Sequence, residues 1–489
     1  MSNFSILDGS IVGVYLAVCI TAGVIVRRYV SKVDDFLVAG REMNLYLGIA
    51  SLAATEFGIV TCMYTAQNGY DLGFAGVTPG ILFALSMLFV GITGFCIKPL
   101  RKAGVITIPE LFEKQYGPKI RWLSGVVIVL GGLLNMGVFL RTGGDFLVTV
   151  CGLNPEYLEI TMTLLLIGVA LYTVLGGMVS VLITDYLQFI VMSVGLLVVT
   201  ILIFYHVGWE KMTTAVSNEY NSGGFNPFVH PKLGWDYVIY NALLTFAAVL
   251  TWQTMIQRVL SAKDSKVGQR IYRGTSFFFV CRFLLPALWG IAALASLTPE
   301  QVGDNTLLAM PKFLSTFVPV GIMGILIAAM LAADMSTDAA YMLSWGSVIY
   351  NDILKPFHKN KWSQKKGLLC NRFIIALIGL FLLFYGLWYP LKGNLWKYLM
   401  MTGTIYLSSM SVLLIACCYW KRANNFGAVG AIILGAVMPI AYLIFEQIPS
   451  TEELFTKKIG PDLWGALTFA VTIAAMIIGS LLKPKNEIR

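Results

Sequence analysis

The stretch Ala333-Asp334-Met335-Ser336-Thr337-Asp338 lies inside the apolar run Ile322–Ile349. Each charge near a bilayer midplane costs ~2.5–3.5 kcal/mol on insertion scales. A membrane helix that keeps two carboxylates and two hydroxyls is most simply explained if they line a path for an ion or a solute. Rotation of 100° per residue groups Ala333, Ser336 and Thr337 on one helix face, and Asp334, Asp338 and Tyr341 on an adjacent one. The first face offers a carbonyl and two hydroxyls, hard oxygen donors suited to an alkali cation. The second holds two acids four residues apart, which repel unless one is protonated or a cation lies between them.

The rest of the chain fits this reading. Apolar residues make up 57% of the 489 and charged residues only 12%, half the share of an ordinary soluble domain. The net charge of +9 invites a nucleic-acid reading, but 26 of the 35 Lys and Arg gather in alternate short loops. These run from Arg27 to Arg41, Lys98 to Arg121, Arg258 to Arg273 and Lys355 to Arg372, then Lys421-Arg422 and Lys483 to Arg489. The alternation is the positive-inside pattern of a multi-pass membrane protein, and no nucleic-acid partner is expected. The eight cysteines lie mostly in apolar segments without ligand or framework spacing, and read as small buried hydrophobes.

Thirteen segments are long enough to span. They fall near residues 8–27, 44–68, 74–97, 122–150, 159–178, 183–206, 236–257, 275–297, 318–347, 370–390, 397–419, 425–445 and 461–482. Thirteen crossings place the N-terminus outside and the C-terminus in the cytoplasm, with every basic loop inside. The first span has no basic residues before it and reads as a retained helix, not a cleaved signal. Residues 207–235 form the longest outer loop and are expected to hold a short surface helix. The whole chain, 1–489, is expected to form a single all-α integral membrane domain in the cell membrane, surrounded by lipid.

Further polar groups stand inside the predicted spans. Glu56, beside Thr55 and Gly58 in the second span, suggests an interrupted helix whose freed carbonyls coordinate a cation; the alternative is a paired packing carboxylate. Arg141 and Asp145 share a helix face, as a structural pair or with the arginine turned to solute. Arg282 is expected to snorkel or pair near the cytoplasmic side. Asp185, after Gly176-Gly177, can serve as a helix cap or a functional group.

Several strings together resemble the sodium:solute symporter family, which includes sodium/glucose, sodium/proline and sodium/sialic acid transporters. They are Asp34-Asp35-Phe36-Leu37-Val38-Ala39-Gly40-Arg41, Thr107-Ile108-Pro109-Glu110, Gly176-Gly177 through Thr184-Asp185 and Gln188, Gln253 with Gln257-Arg258, and Ala332-Ala333 with Met335-Ser336-Thr337. The resemblance implies a five-plus-five inverted repeat of the leucine-transporter-like kind, with repeats at 44–206 and 236–419. The peripheral helices would be 8–27 and 425–482. It also implies one sodium ion held by the carbonyls of Ala53, Glu56 and Ala333 and the hydroxyls of Ser336 and Thr337, with no other cofactor.

Departures from the family pattern are informative. Relatives that hold a second sodium use serines where this chain has Ala339 and Ala340, so Asp185 is expected to have a structural, gating or ion-exit role. Glu56, Asp334 and Asp338 replace residues that are usually apolar, and can strengthen cation binding, couple a proton or neutralise a cationic solute. Asp334 and Asp338 are therefore placed with coupling or gating. The family's solute positions correspond here to Thr55, Ile59, Val60, Ala248 and Val249, which makes a sugar unlikely as solute. Asn135 occupies a solute-contacting position, and Arg141 is the candidate partner for a solute carboxylate.

These readings point to a sodium-coupled symporter of a small organic solute, an amino acid or organic acid before a sugar, working as a monomer by alternating access. A proton-coupled permease using Glu56 or Asp334 is the first rival, and a transporter-like membrane sensor the second. An enzyme is disfavoured: the histidines, His206, His230 and His358, fall near span ends or in loops.

Overall fold

The computed structural model describes residues 2–26, 32–358, 363–389 and 393–483. Of the basic loops, Arg27, Arg28, Lys359, Lys361, Lys485 and Arg489 lie outside the described residues. The chain is all helical, and among the described residues eleven stretches are apolar and long enough to cross a membrane. One of them, Ile59–Thr93, contains two helices joined by a 3-10 turn. The chain reverses at that turn, where the backbone at Gly76 folds so close to the Asn68 carbonyl that a Cβ would lie 2.6 Å from it.

The main helices are α1 (Ile6–Val26), α2 (Leu45–Thr55), α3 (Ile59–Leu72), α4 (Thr78–Thr93), α5 (Pro118–Met136), α6 (Phe139–Cys151) and α7 (Leu158–His206). After a short surface helix, Trp209–Tyr220, in the predicted outer loop come α8 (Trp235–Thr251), α9 (Gln253–Ser261), α10 (Ser265–Ser296) and α11 (Ile322–Val348). The chain closes with α12 (Gln364–Trp388), α13 (Leu395–Tyr419), α14 (Asn425–Phe445) and α15 (Gly460–Leu482).

The interruptions matter more than the lengths. The predicted span 44–68 is two helices, α2 and α3, separated by Glu56-Phe57-Gly58. α2 starts where Asn44 caps the Leu47 amide at 3.0 Å. It ends where the Phe57 amide turns to the Ala54 carbonyl at 3.3 Å, so Ala53 loses its helical donor. The predicted span 236–257 is likewise split, at Trp252, whose backbone is extended (φ −63°, ψ 115°). Spans 159–178 and 183–206 are two helical segments, numbered together as α7, that meet at a sharp break at Gly177 (φ +52°, ψ −147°). Only glycine fits that bend, because a Cβ would lie 2.6 Å from the Phe36 carbonyl.

α11 is the central element: every residue from Leu326 to Val348 is buried. It packs chiefly on α7, while α10 lies across α3 and α4. Contact between α3 and α10 runs backbone to backbone. A Cβ on Gly69 would overlap the Ala287 carbonyl, and one on Gly290 would overlap the Ala66 carbonyl. Small residues of this kind allow tight helix packing in lipid, where no hydrophobic drive joins helices. Outward faces are apolar instead: Ile81, Leu85, Phe89 and Ile92 form an exposed stripe along α4.

Candidate functional site

The break between α2 and α3 meets α11. Thr337 Oγ1 donates to the Thr55 carbonyl at 3.0 Å, and Gly58 packs directly on Thr337. Beside it, toward α7, Ser336 Oγ donates to Asp185 Oδ1 at 2.5 Å. Both hydroxyl protons are thus committed elsewhere, which leaves the oxygen lone pairs free to face a cation. Ala53, Glu56, Ala333, Ser336 and Thr337 are all at most 3% exposed. Thr337 of α11 thus meets the break that holds Glu56 and the released Ala53 carbonyl, with Ser336 beside it and Ala333 one turn earlier on the same helix.

Below the break lies a closed polar cluster. Asp185 accepts from Ser51 at 2.5 Å and from Thr55 at 3.4 Å, and pairs with the Arg258 guanidinium at 3.3 Å. Arg258 also donates to Thr55 Oγ1 at 2.6 Å and to Ser51 Oγ at 3.2 Å. Neither charged side chain reaches solvent. Asp185 is therefore a pairing group within a helix, not a cap: the second segment of α7 starts at the Gly177 break, two turns before it.

Above the break a small cavity of about 70 Å³ opens beside Thr337. Its wall is aromatic, with Tyr64, Phe139, Trp252, Tyr341 and Trp396. Trp252 stands at the α8/α9 break and its indole N–H donates to the Tyr341 hydroxyl at 2.9 Å. One ion pair stands in this wall: Arg282 Nη1 lies 3.4 Å from Glu56 Oε2. Glu56 Oε1 accepts from Thr254 at 2.6 Å, and Arg282 donates to the Tyr64 hydroxyl at 3.1 Å. The guanidinium is also packed over the rings of Phe279 and Phe283, at 4.9 and 5.4 Å.

Among the predicted solute residues, Val60, Asn135 and Ala248 line this cavity. Thr55 does not; it belongs to the Asp185–Arg258 cluster. Ile59 and Val249 are buried outside the wall, where the Val249 carbonyl accepts from Tyr272 at 3.0 Å. Arg141 is also elsewhere: it pairs with Asp145 at 3.5 Å and both side chains are about 30% exposed. That pairing is the local option its i, i+4 spacing allows, and it leaves Arg282 as the arginine at the cavity. Asp334 and Asp338 are each 1% exposed and are not among the residues that line the cavity.

Arg282 pairs, one of the two options its sequence offered, but with Glu56 deep in the helix and not near the cytoplasmic side. α10 begins at Ser265, ten residues before the predicted start at 275, so Arg282 sits deep in the helix, about 25 Å from its first turn at 1.5 Å per residue. Snorkelling is out of reach there. Pro286, four residues on, also leaves the Arg282 carbonyl without its helical donor. A costly arginine followed by an intrahelical proline was the available signal; the aromatic lining carried none.

Comparison with known proteins agrees with this architecture. The chain is 26% identical to sodium/glucose cotransporter 4 of Danio rerio, covering 96% of this chain and 77% of the relative. It is also 26% identical to high-affinity choline transporter 1 of Drosophila melanogaster, over 88% and 70% of the two chains. A solved structure of a Na+-coupled sialic acid symporter, in a substrate-bound outward-open state, superposes with a TM-score of 0.82 at 20% identity, over 98% and 99%. The fold is thus the five-plus-five, leucine-transporter-like one, with its two interrupted helices at α2/α3 and α8/α9. A sequence model of this kind of transporter matches residues 36–435, and the chain belongs to the sodium:solute symporter family.

Proposed function

We propose that the chain couples sodium entry to uptake of a small organic solute, an amino acid or organic acid in preference to a sugar, by alternating access. The observation that carries the solute class is the Glu56–Arg282 pair in the wall of an aromatic cavity. A solute carboxylate can replace Glu56 at Arg282, and a solute ammonium can meet the released Glu56, so that no buried charge is left alone. A sugar would need neutral hydrogen-bonding groups instead. The Asn135 amide is already engaged by the Leu399 carbonyl and the Thr402 hydroxyl, at 2.9 and 3.0 Å.

Sodium is assigned to the carbonyls of Ala53, Glu56 and Ala333 with the hydroxyls of Ser336 and Thr337. Thr337 borders both this site and the cavity, so a bound ion would tie α11 to the broken helix and pre-form the solute pocket. Each ligand then tightens the other by the same factor. Asp185 is countered by Arg258, and residues 339 and 340 are alanines, which supports a single ion. The repeats are taken as 44–206 and 236–419, with 8–27 and 425–482 peripheral. The N-terminus is placed outside, the C-terminus inside, and the unit is a monomer in the cell membrane.

The test is a solute screen in proteoliposomes under an inward sodium gradient, with choline as replacement. An amino acid or organic acid should accumulate only with sodium. Equal accumulation in choline would refute the coupling, and accumulation of sugars alone would refute the solute class.

A further inference from the structure

A second cavity, of about 620 Å³, lies at the end of the bundle where α12 ends, α13 starts, α14 ends and α15 starts. Its size is that of a pocket for a small organic ligand. α13 divides it from the central cavity: Trp396, Leu399 and Met400 line the central one, and Lys397, Tyr398 and Met401 line the second. On this side the wall carries charges of both signs, Lys397 against Glu446 and Glu452, together with Tyr389, Tyr398 and Tyr442.

The tyrosines are fixed in place. Tyr398 donates to the Leu134 carbonyl at 2.8 Å and shares a 2.8 Å hydrogen bond with the Tyr385 hydroxyl. Tyr389 stacks on Tyr385 with ring centres 5.1 Å apart, and Tyr442 donates to the Phe455 carbonyl at 3.3 Å. The charges, by contrast, are unmatched. Lys397 is exposed, and among the described residues no ion pair joins it to an acid. Glu446, Asp462 and Asp71 nevertheless all lie within its electrostatic reach. Asp462, next to Pro461 of the cavity wall, is 8% exposed, and its Oδ1 has no hydrogen-bond partner among the described residues.

Unpaired charges of opposite sign in one cavity select the ligand. The lysine repels a metal ion, and the carboxylates of Glu446, Glu452 and Asp462 repel an inorganic anion. A zwitterion answers both signs, and the tyrosine rings offer contact to an ammonium or to an apolar side chain. We propose that this cavity is a second binding site, for a zwitterionic amino acid with an apolar side chain, in which Lys397 holds the carboxylate and Glu446 the ammonium. The site stands on this cavity alone and needs neither the sodium assignment nor the Glu56–Arg282 reading.

The experiment measures equilibrium binding of tritiated L-phenylalanine to the full-length protein in nanodiscs, in choline chloride and in sodium chloride. Binding in choline reports the second cavity, and the increment in sodium reports the central one. Wild type in choline should bind with a half-saturating concentration below about 1 mM. Lys397→Gln and Glu446→Gln should each weaken that binding at least about tenfold, and Lys397→Arg should retain it. Phenylpropionate, which lacks the ammonium, and phenylalaninamide, which lacks the carboxylate, should compete at least about tenfold more weakly than phenylalanine. No binding in choline below about 1 mM, undiminished binding in both Gln variants, or equal competition by either analogue would overturn this inference. The central-site reading would survive each of these results, since it is judged by sodium-dependent accumulation. Failure of that accumulation with choline binding intact would overturn the central reading alone.

Discussion

Gly58 supplies the sharpest perturbation of the sodium site. Its backbone (φ −104°, ψ 178°) is open to any residue, so a substitution there tests space alone. A Cβ at this position would lie 2.8 Å from Thr337 Oγ1, 3.1 Å from Thr337 Cβ and 3.2 Å from Cγ2. Ordinary contact requires several tenths of an ångström more on all three. Thr337 is buried and its hydroxyl is tied to the Thr55 carbonyl at 3.0 Å, so the strain can be relieved only by parting α11 from the break. Overpacking of this kind costs about 1–3 kcal/mol. A cation that needs the two helices together must overcome that strain, and at about 2 kcal/mol its half-saturating concentration rises roughly 30-fold. Equilibrium 22Na binding to purified Gly58→Ala protein measures it. Adding Thr337→Ala removes the obstructing atoms, so the two effects should combine less than additively. A half-saturation within about twofold of wild type for Gly58→Ala would refute the junction as the ion site.

Replacing both Ser336 and Thr337 by Ala removes two oxygens from the assigned shell and should raise the sodium needed for half-maximal uptake at least about tenfold. Arg282→Gln should reduce solute uptake by about 100-fold, since breaking a buried charged contact costs about 2–5 kcal/mol, while 22Na binding persists; Arg282→Lys should recover part of the uptake. Undiminished uptake in Arg282→Gln would remove that arginine from solute binding. Asp185→Asn strands a buried guanidinium and should destabilise the protein by about 3–5 kcal/mol, read as a lower melting temperature. Adding Arg258→Gln should recover much of the loss; no recovery would argue against a closed pair.

The polar string in α11 was readable because intramembrane oxygen donors are expensive and rotation assigns them to faces. Glu56 next to Gly58 marked the first helix break for the same reason. The second break, at Trp252, had no such mark: a tryptophan within an apolar run looks like any lipid-facing or core residue. Arg282 was visible but misplaced, because Ser265–Thr275 is too polar to read as part of a span although it continues the α10 helix. Arg141 was the converse: its neighbour Asp145 satisfies it locally, and only the three-dimensional arrangement separates it from the cavity. Aromatic residues converge on the cavity from α3, α6, the α8/α9 break, α11 and α13, a convergence that no local spacing encodes.

The glycine contacts between α3 and α10 set the mechanics of the carrier. With Gly69 against the Ala287 carbonyl and Gly290 against the Ala66 carbonyl, the two rods have no side-chain cushion across which to slide. They can travel only as one lever, and that lever bears Tyr64 at one end of the Arg282 contact and Arg282 at the other. Under the alternating access proposed above, access to either side of the membrane would come from swinging the lever against α11, with the Thr337–Thr55 seam as the place where that swing opens or shuts.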